Sequence, residues 1–164
     1  MQKVGFGGGC HWCTEAVFSV LRGVSFVEQG WINSLDLDAE SFSEAVLVHF
    51  DETVIALDVL VEIHLLTHKA TSNHSFRKKY RSAIYTFSPK QESEANDILV
   101  DKRVLFDKPL VTKVYPFLDF KANKEKFLNY YQNNPEKPFC QTYIEPKLQM
   151  LLSEYKKHLK TTPR

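Results

Sequence analysis

The chain has three cysteines, an odd number, which argues against a framework of structural disulfides. It also lacks any apolar run approaching the roughly 20 residues needed to cross a bilayer, so no membrane segment is expected. Nor is there an excess of one charge. The 21 basic and 20 acidic side chains nearly cancel, leaving no global field to recruit nucleic acid or a membrane surface. The locally basic stretches, Arg77-Lys78-Lys79-Tyr80-Arg81 and the tail from Lys156, read as solvated surface. Met1 leads almost directly into a strand-like segment, without the charged, apolar and small-residue series of a secretory signal. The expected compartment is therefore the cytoplasm, where stable disulfides are rare, and the cysteines need another explanation. No repeat, low-complexity segment or linker divides the chain, so 1–164 is expected to be a single domain.

What is present suffices for a core: 43% of the residues are hydrophobic and 25% charged, close to ordinary globular usage. Gln2 to Gly8 reads as a strand running into Gly7-Gly8-Gly9. Beyond Cys10 the period becomes helical, with Cys13, Ala16, Val17, Val20 and Leu21 on one stripe and Gly23 closing it. Val24 to Ile32 is a second strand, followed by an acidic connection through Glu40. Ser43 to Phe50 is the clearest strand, and Ala56 to Leu66 an apolar-periodic helix. Tyr80 to Phe87 is strand-like, Ser88-Pro89 opens a polar helix running towards Asp107, and Leu110 to Phe117 returns to a strand. Asn123 to Gln132 and 147–159 read as helices flanking a Pro-containing loop that holds Cys140, with a short basic tail at 160–164. The order β-α-β-β-α-β, then α-β and two helices, predicts an α+β fold: a two-layer sandwich of one mixed sheet with helices packed on it.

Three features carry chemistry. The first is Gly7-Gly8-Gly9-Cys10-His11-Trp12-Cys13, at a strand-to-helix junction. Glycines turn the backbone tightly and leave the next atoms accessible. A helix start offers unpaired N–H groups and the positive dipole end, so a cysteine there tends towards a depressed pKa and a reactive thiolate. Cys13 lies one turn on, on the same side. The bland alternative is an inert buried pair, and haem attachment fails because Thr14 follows Cys13. The second is Glu44, which shares a strand face with Val46, Val48 and Phe50. A carboxyl on an apolar face favours its neutral form, unless it simply reaches water at the strand end. The third is Tyr80, a phenol at a strand start, either a donor into a site or packing. His64, His68 and His74 follow no compact zinc spacing.

Gly9-Cys10-His11-Trp12-Cys13-Thr14-Glu15 resembles the signature of the A-type peptide methionine sulfoxide reductases, Gly-Cys-Phe-Trp with a glutamate three residues on. Leu21-Arg22-Gly23-Val24 is similar to the family's Leu-Pro-Gly-Val, and Phe42-Ser43-Glu44-Ala45 to its His-Ala-Glu-Val. Asp51, His64, Tyr80 to Tyr85 and Asn134-Pro135…Phe139-Cys140 follow in the family's order. The resemblance implies a ferredoxin-like core and no cofactor or metal. It implies Cys10 as nucleophile, Glu44 as acid, Tyr80 as donor to the sulfoxide oxygen, and Trp12 and His11 at the substrate's methyl group. Cys13, Cys140 or both in turn would resolve the oxidised nucleophile.

The resemblance also places the segment of Cys140 over the site. A loop bounded by Pro138 and Pro146 moves more easily than a helical turn, so a Cys10–Cys140 disulfide is the expected main oxidised form, with Cys13 secondary. Departures are His11 for the usual phenylalanine, Ser75 for an aspartate, a short connection before Glu44 without the family's second tyrosine, and Ile144 to Leu159 in place of a glycine-rich tail.

The implied reaction converts methionine (S)-S-oxide, free or in proteins, to methionine through a cysteine sulfenic acid. A thioredoxin-like dithiol would then reduce the resulting disulfide. Two other classes remain open: a general thiol–disulfide oxidoreductase using Cys10 and Cys13, and a non-enzymatic zinc module built on Cys10, Cys13, Cys140 and one histidine.

Overall fold

The computed structural model describes residues 1–38, 41–73, 79–134, 136–138 and 140–160. Glu40, His74, Ser75, Arg77, Lys78, Pro135, Phe139 and the tail at 161–164, all named above, lie outside the described residues.

Alternation along β1 (Gln2–Gly7) sets up two cores. Val4 and Phe6 are fully buried on the face that carries the helices, while the intervening glycines take the other face. A Cβ at Gly5 would stand 2.9 Å from both Ile32 Cδ1 and Tyr85 Cβ, so that face has no room for a side chain. Next comes α1 (His11–Ser19), which buries Cys13, Ala16, Val17 and Phe18. Phe18 stacks on Phe6 with ring centroids 4.7 Å apart.

The remaining elements are β2 (Val24–Ser34), β3 (Ser43–Phe50), α2 (Leu57–Leu66), β4 (Ala83–Thr86), α3 (Pro89–Lys102), β5 (Lys113–Ala122), α4 (Tyr130–Asn133) and α5 (Glu145–Glu154). Sequence chemistry starts α3 cleanly: the Ser88 hydroxyl accepts from Gln91 N–H at 3.1 Å and Pro89 occupies the first turn, where its missing N–H costs nothing. Helical Leu60, Val61 and Ile63 pack with Val46, Val48 and Ile84 of the strands in the larger core.

The α+β class and the mixed sheet agree with expectation. The open two-layer sandwich with a ferredoxin-like core does not: the strands close into a barrel in the order β1-β3-β2-β5-β4. β4 pairs antiparallel with β1 on one edge and parallel with β5 on the other, so neither edge remains. Closure of so few strands needs small inward side chains. Gly5, Ala45 and Ala83 provide them on three adjacent strands, and Ile32, Leu47 and Tyr85 fill the interior.

Several boundaries shift for identifiable reasons. Tyr80 does not open β4; the strand begins at Ala83 because the backbone around Tyr80 bonds to the start of β3 instead, with Glu44 N–H donating to Lys79 O at 3.0 Å. The helix expected at 123–132 is a 3₁₀ turn, Glu125–Phe127, and the short α4, separated by Asn129 at φ 54°. Cys140 is not in a loop: Cys140–Ile144 form a π-helical turn continuous with α5. Beyond α5 the chain returns to α1, where Arg22 N–H donates to His158 O at 2.7 Å and Lys160 N–H to Val20 O at 2.9 Å. Among the described residues no helix is long and apolar enough to cross a membrane.

Candidate active site

Three neighbouring strands end at the same place. β1 lies between β3 and β4, so the turn after β1, the first residues of β3 and the approach to β4 converge. The turn after β1 carries Cys10, β3 carries Glu44 and the approach to β4 carries Tyr80. Cys10 is the N-cap of α1, its carbonyl accepting from Cys13 N–H at 3.0 Å and Thr14 N–H at 3.1 Å. Gly8 makes the turn possible with φ 142°, a backbone region that L side chains avoid. His64 on α2 donates from Nε2 to Gly7 O at 2.7 Å, anchoring the turn from below.

All three cysteines are free thiols. Cys10 is half-buried, whereas Cys13 and Cys140 are buried. The Cys10 and Cys13 thiols are hydrogen-bonded to each other. Cys13 is drawn down to about 7 by that bond, assisted by the Lys147 ammonium. Cys10 is pushed up, first by its bond with Cys13 and then by burial, although Trp12 N–H donates to its sulfur. The depressed pKa expected of Cys10 alone is thus a property of the pair. The two thiols titrate as a unit: loss of the first proton leaves a single thiolate, and the proton that remains is shared between the two sulfurs. Cys140 packs with Cys13, Ala16 and Ile144, and burial pushes its thiol up.

Glu44 is 5% exposed. Its Oε1 accepts from the His11 backbone N–H at 3.3 Å and lies 3.3 Å from His11 Nδ1. Its Oε2 lies 3.6 Å from Lys79 Nζ. The same ammonium sits 5.1 Å over the Tyr80 ring, and a hydrogen bond with Tyr80 raises its pKa. Tyr80 is fixed from both sides by one hydroxyl: Ser43 Oγ donates to Lys79 O at 2.9 Å and accepts from Arg81 N–H at 2.7 Å. Arg81 then ties the approach to the barrel, donating to Tyr85 Oη, Ser41 O and Ile32 O at 2.9–3.1 Å.

An open cleft of about 740 Å³ exposes this junction, lined by Gly9, Cys10, His68, Tyr80, Tyr143 and Lys147 among others. Glu44, His11 and Trp12 are not part of its lining. Trp12 packs on Phe127, with centroids 5.9 Å apart. His68 is wedged between Gly8 and Ser82, with Nε2 2.7 Å from Ser82 Oγ. Sequence reasoning missed Ser43, Lys79, Tyr143 and Lys147 as site residues; Ser43 stood only as a member of the Phe42-Ser43-Glu44-Ala45 match, and Lys79 only in a basic stretch read as solvated surface. Among the described residues no three His, Cys, Asp or Glu side chains gather as a metal site.

A hydrogen-bonded thiol pair at a helix start, with a phenol beside it and a buried carboxyl behind, is the equipment of a cysteine-based redox centre. Comparison with known proteins makes the class specific. The family model described as "Peptide methionine sulfoxide reductase" matches residues 2–160, and the chain belongs to that family. The peptide methionine sulfoxide reductase MsrA of a Psychrobacter species is 30% identical over 173 positions, covering 97% of this chain and 99% of the relative. Among solved structures, Mxr1 from Saccharomyces cerevisiae in reduced form superposes with a TM-score of 0.74 at 21% identity, over 87% of this chain and 90% of its own. Mxr1 in complex with Trx2 superposes with a TM-score of 0.61 at 20% identity, over 79% and 84%.

Proposed function

We propose that the chain, acting as one catalytic domain, reduces methionine (S)-S-oxide, free or in proteins, to methionine at the expense of a thioredoxin-like dithiol. The observation that carries this reading is the meeting of the Cys10–Cys13 pair, Tyr80 and Glu44 at one strand end, within a chain of this family.

Cys10 is the nucleophile, being the pair's more accessible sulfur and facing the cleft. A shift of the shared proton onto Cys13 supplies its thiolate. A sulfoxide oxygen departs from sulfur only when it is stabilised and protonated. Glu44 gives the proton and the Tyr80 hydroxyl donates a hydrogen bond. Cys10 thiolate, sulfoxide and one proton yield Cys10 sulfenic acid and methionine. The sulfenic acid condenses with a thiol, releasing water and forming a disulfide, which an external dithiol reduces by exchange.

Geometry favours a different order of resolution from the one expected of a mobile loop. Cys13 already touches Cys10, and Cys140 packs with Cys13 in one cluster. We assign Cys13 the first disulfide with Cys10 and Cys140 the second, with Cys13. His11 belongs to the carboxyl's surroundings, and Trp12 to the wall against Phe127. The test is an assay of both sulfoxide epimers with dithiothreitol, on the parent protein and on Cys10→Ser. Methionine formed from the S epimer alone, and only with Cys10 present, is the expected result; equal rates on both epimers would refute it.

A further inference from the structure

The backbone of Lys79 is fastened to the residue that carries the acid. Its carbonyl accepts from Glu44 N–H at 3.0 Å and from Ser43 Oγ at 2.9 Å, so the Lys79 and Glu44 side chains start from adjacent points. The ammonium then lies 3.6 Å from Glu44 Oε2 and 5.1 Å over the Tyr80 ring. An exposed lysine ordinarily extends into water, keeping its rotamer freedom and hydration. This one is 63% exposed along its side chain, yet its charged end rests against a buried carboxyl. Among the described residues no other lysine or arginine is at ion-pair distance from Glu44. Arg81 is engaged with Tyr85, Ser41 and Ile32, and Lys147 acts at Cys13.

The reaction proposed above moves a charge as well as a proton. At its start the negative charge is on the Cys10 thiolate and the Glu44 carboxyl is neutral. The Glu44 proton passes to the sulfoxide oxygen, the substrate's S–O bond breaks as that oxygen joins the Cys10 sulfur, and methionine leaves. Cys10 is then a neutral sulfenic acid, and the negative charge is on Glu44. A buried carboxylate is costly unless it is paired. Its Oε1 has the His11 backbone N–H at 3.3 Å, and its Oε2 faces the Lys79 ammonium. Resting on the proposal that Glu44 protonates the sulfoxide oxygen, we infer that Lys79 is a positioning residue acting through Glu44: its ammonium is the counter-charge that holds the carboxylate formed when the acid gives up its proton. An ammonium attracts a carboxylate more than a neutral carboxyl, so its benefit grows as the proton leaves. The gain therefore falls on the rate of methionine release and not on substrate binding. Lys79 is not part of the cleft lining, which keeps it off the substrate.

The experiment is a charge series at position 79, read as single-turnover methionine release against sulfoxide concentration. The parent, Lys79→Arg, Lys79→Met and Lys79→Glu are each measured with Glu44 and in the Glu44→Gln background. Release should be about tenfold slower in Lys79→Met and slower again in Lys79→Glu, with half-saturation little changed. Lys79→Arg, which keeps the charge, should stay within about threefold of the parent. In the Glu44→Gln background no carboxylate forms, so the series should be flat. A parental rate in Lys79→Met, a Lys79→Arg protein as slow as Lys79→Met, or a loss that persists with Glu44→Gln would overturn the inference. So would a loss carried by half-saturation alone. A parental rate in Glu44→Gln would instead overturn the role of Glu44 on which the inference rests. The replaced side chain is mostly exposed, so the fold should survive; if one substitution unfolds the chain, the remaining variants still rank release by charge.

Discussion

Gly8→Ala is the perturbation whose cost follows most directly from the geometry. At φ 142° an alanine is strained by its backbone alone, and its Cβ would stand 2.5 Å from His68 Cδ2 and 2.7 Å from Nε2. The imidazole cannot easily yield. It stacks on His64 with centroids 4.2 Å apart, bonds the His64 carbonyl through Nδ1, and bonds Ser82 Oγ at 2.7 Å, which in turn meets Thr112 Oγ1 at 2.6 Å. Backbone strain and the loss of one such bond come to about 3 kcal/mol, or a fall of about 6–12 °C in melting temperature for a chain of this size. If the turn moves instead of the ring, the Cys10 thiol two residues on moves with it, and a misplacement of about 1 Å costs about 100-fold in rate. Thermal denaturation and single-turnover methionine release measure the two effects separately. The substitution should cost distinctly less in a His68→Ala background, where the opposing ring is gone. Equal cost in both backgrounds, or a Gly8→Ala protein with parental stability and rate, would refute this reasoning.

Cys10→Ser should retain the fold and lose turnover, because a serine hydroxyl is no nucleophile at neutral pH without a partner base; sustained turnover in this variant would remove Cys10 from its role. Peptide mapping after one equivalent of sulfoxide, without reductant, should show Cys10–Cys13 in early samples and Cys13–Cys140 later. A Cys10–Cys140 crosslink appearing first would reverse that order. Alkylation of the thiol pair should rise with pH and level off above about 7, because the Cys13 pKa is lowered to that value and only the thiolate reacts. Lys147→Met should move the midpoint upwards, since it removes the cation that favours the anion. A parental alkylation rate still climbing above pH 8.5 would contradict the shared-proton description.

Features that are local in sequence were readable in it. The stripe from Cys13 to Leu21 and the alternation of β3 each report a period fixed within one element. Closure of the barrel is not local: it depends on the four residues of β4 accepting β1 and β5 at once. Pro146 misled for a different reason. It suggests a loop, yet it sits in the first turn of α5, where a helix tolerates proline. Cys10, Glu44 and Tyr80 stood out because their residue types carry chemistry in those contexts. Ser43 and Lys147 did not: one acts through backbone groups from residues 79 and 81, the other through a thiol 134 positions away in the chain. No pattern of neighbours along the sequence encodes such meetings.

Ring closure also orders events during synthesis. Residues 10, 44 and 80 sit at the ends of three strands that pair only with one another's help, and the last of these, β4, is clasped by β5 at 113–122. A chain emerging from the ribosome therefore displays its glycine turn and thiol pair long before the strands that surround them exist. During that interval the turn has no Ser82 to hold His68, and the thiol pair has only its mutual hydrogen bond, without the Lys147 ammonium that assists it in the finished fold.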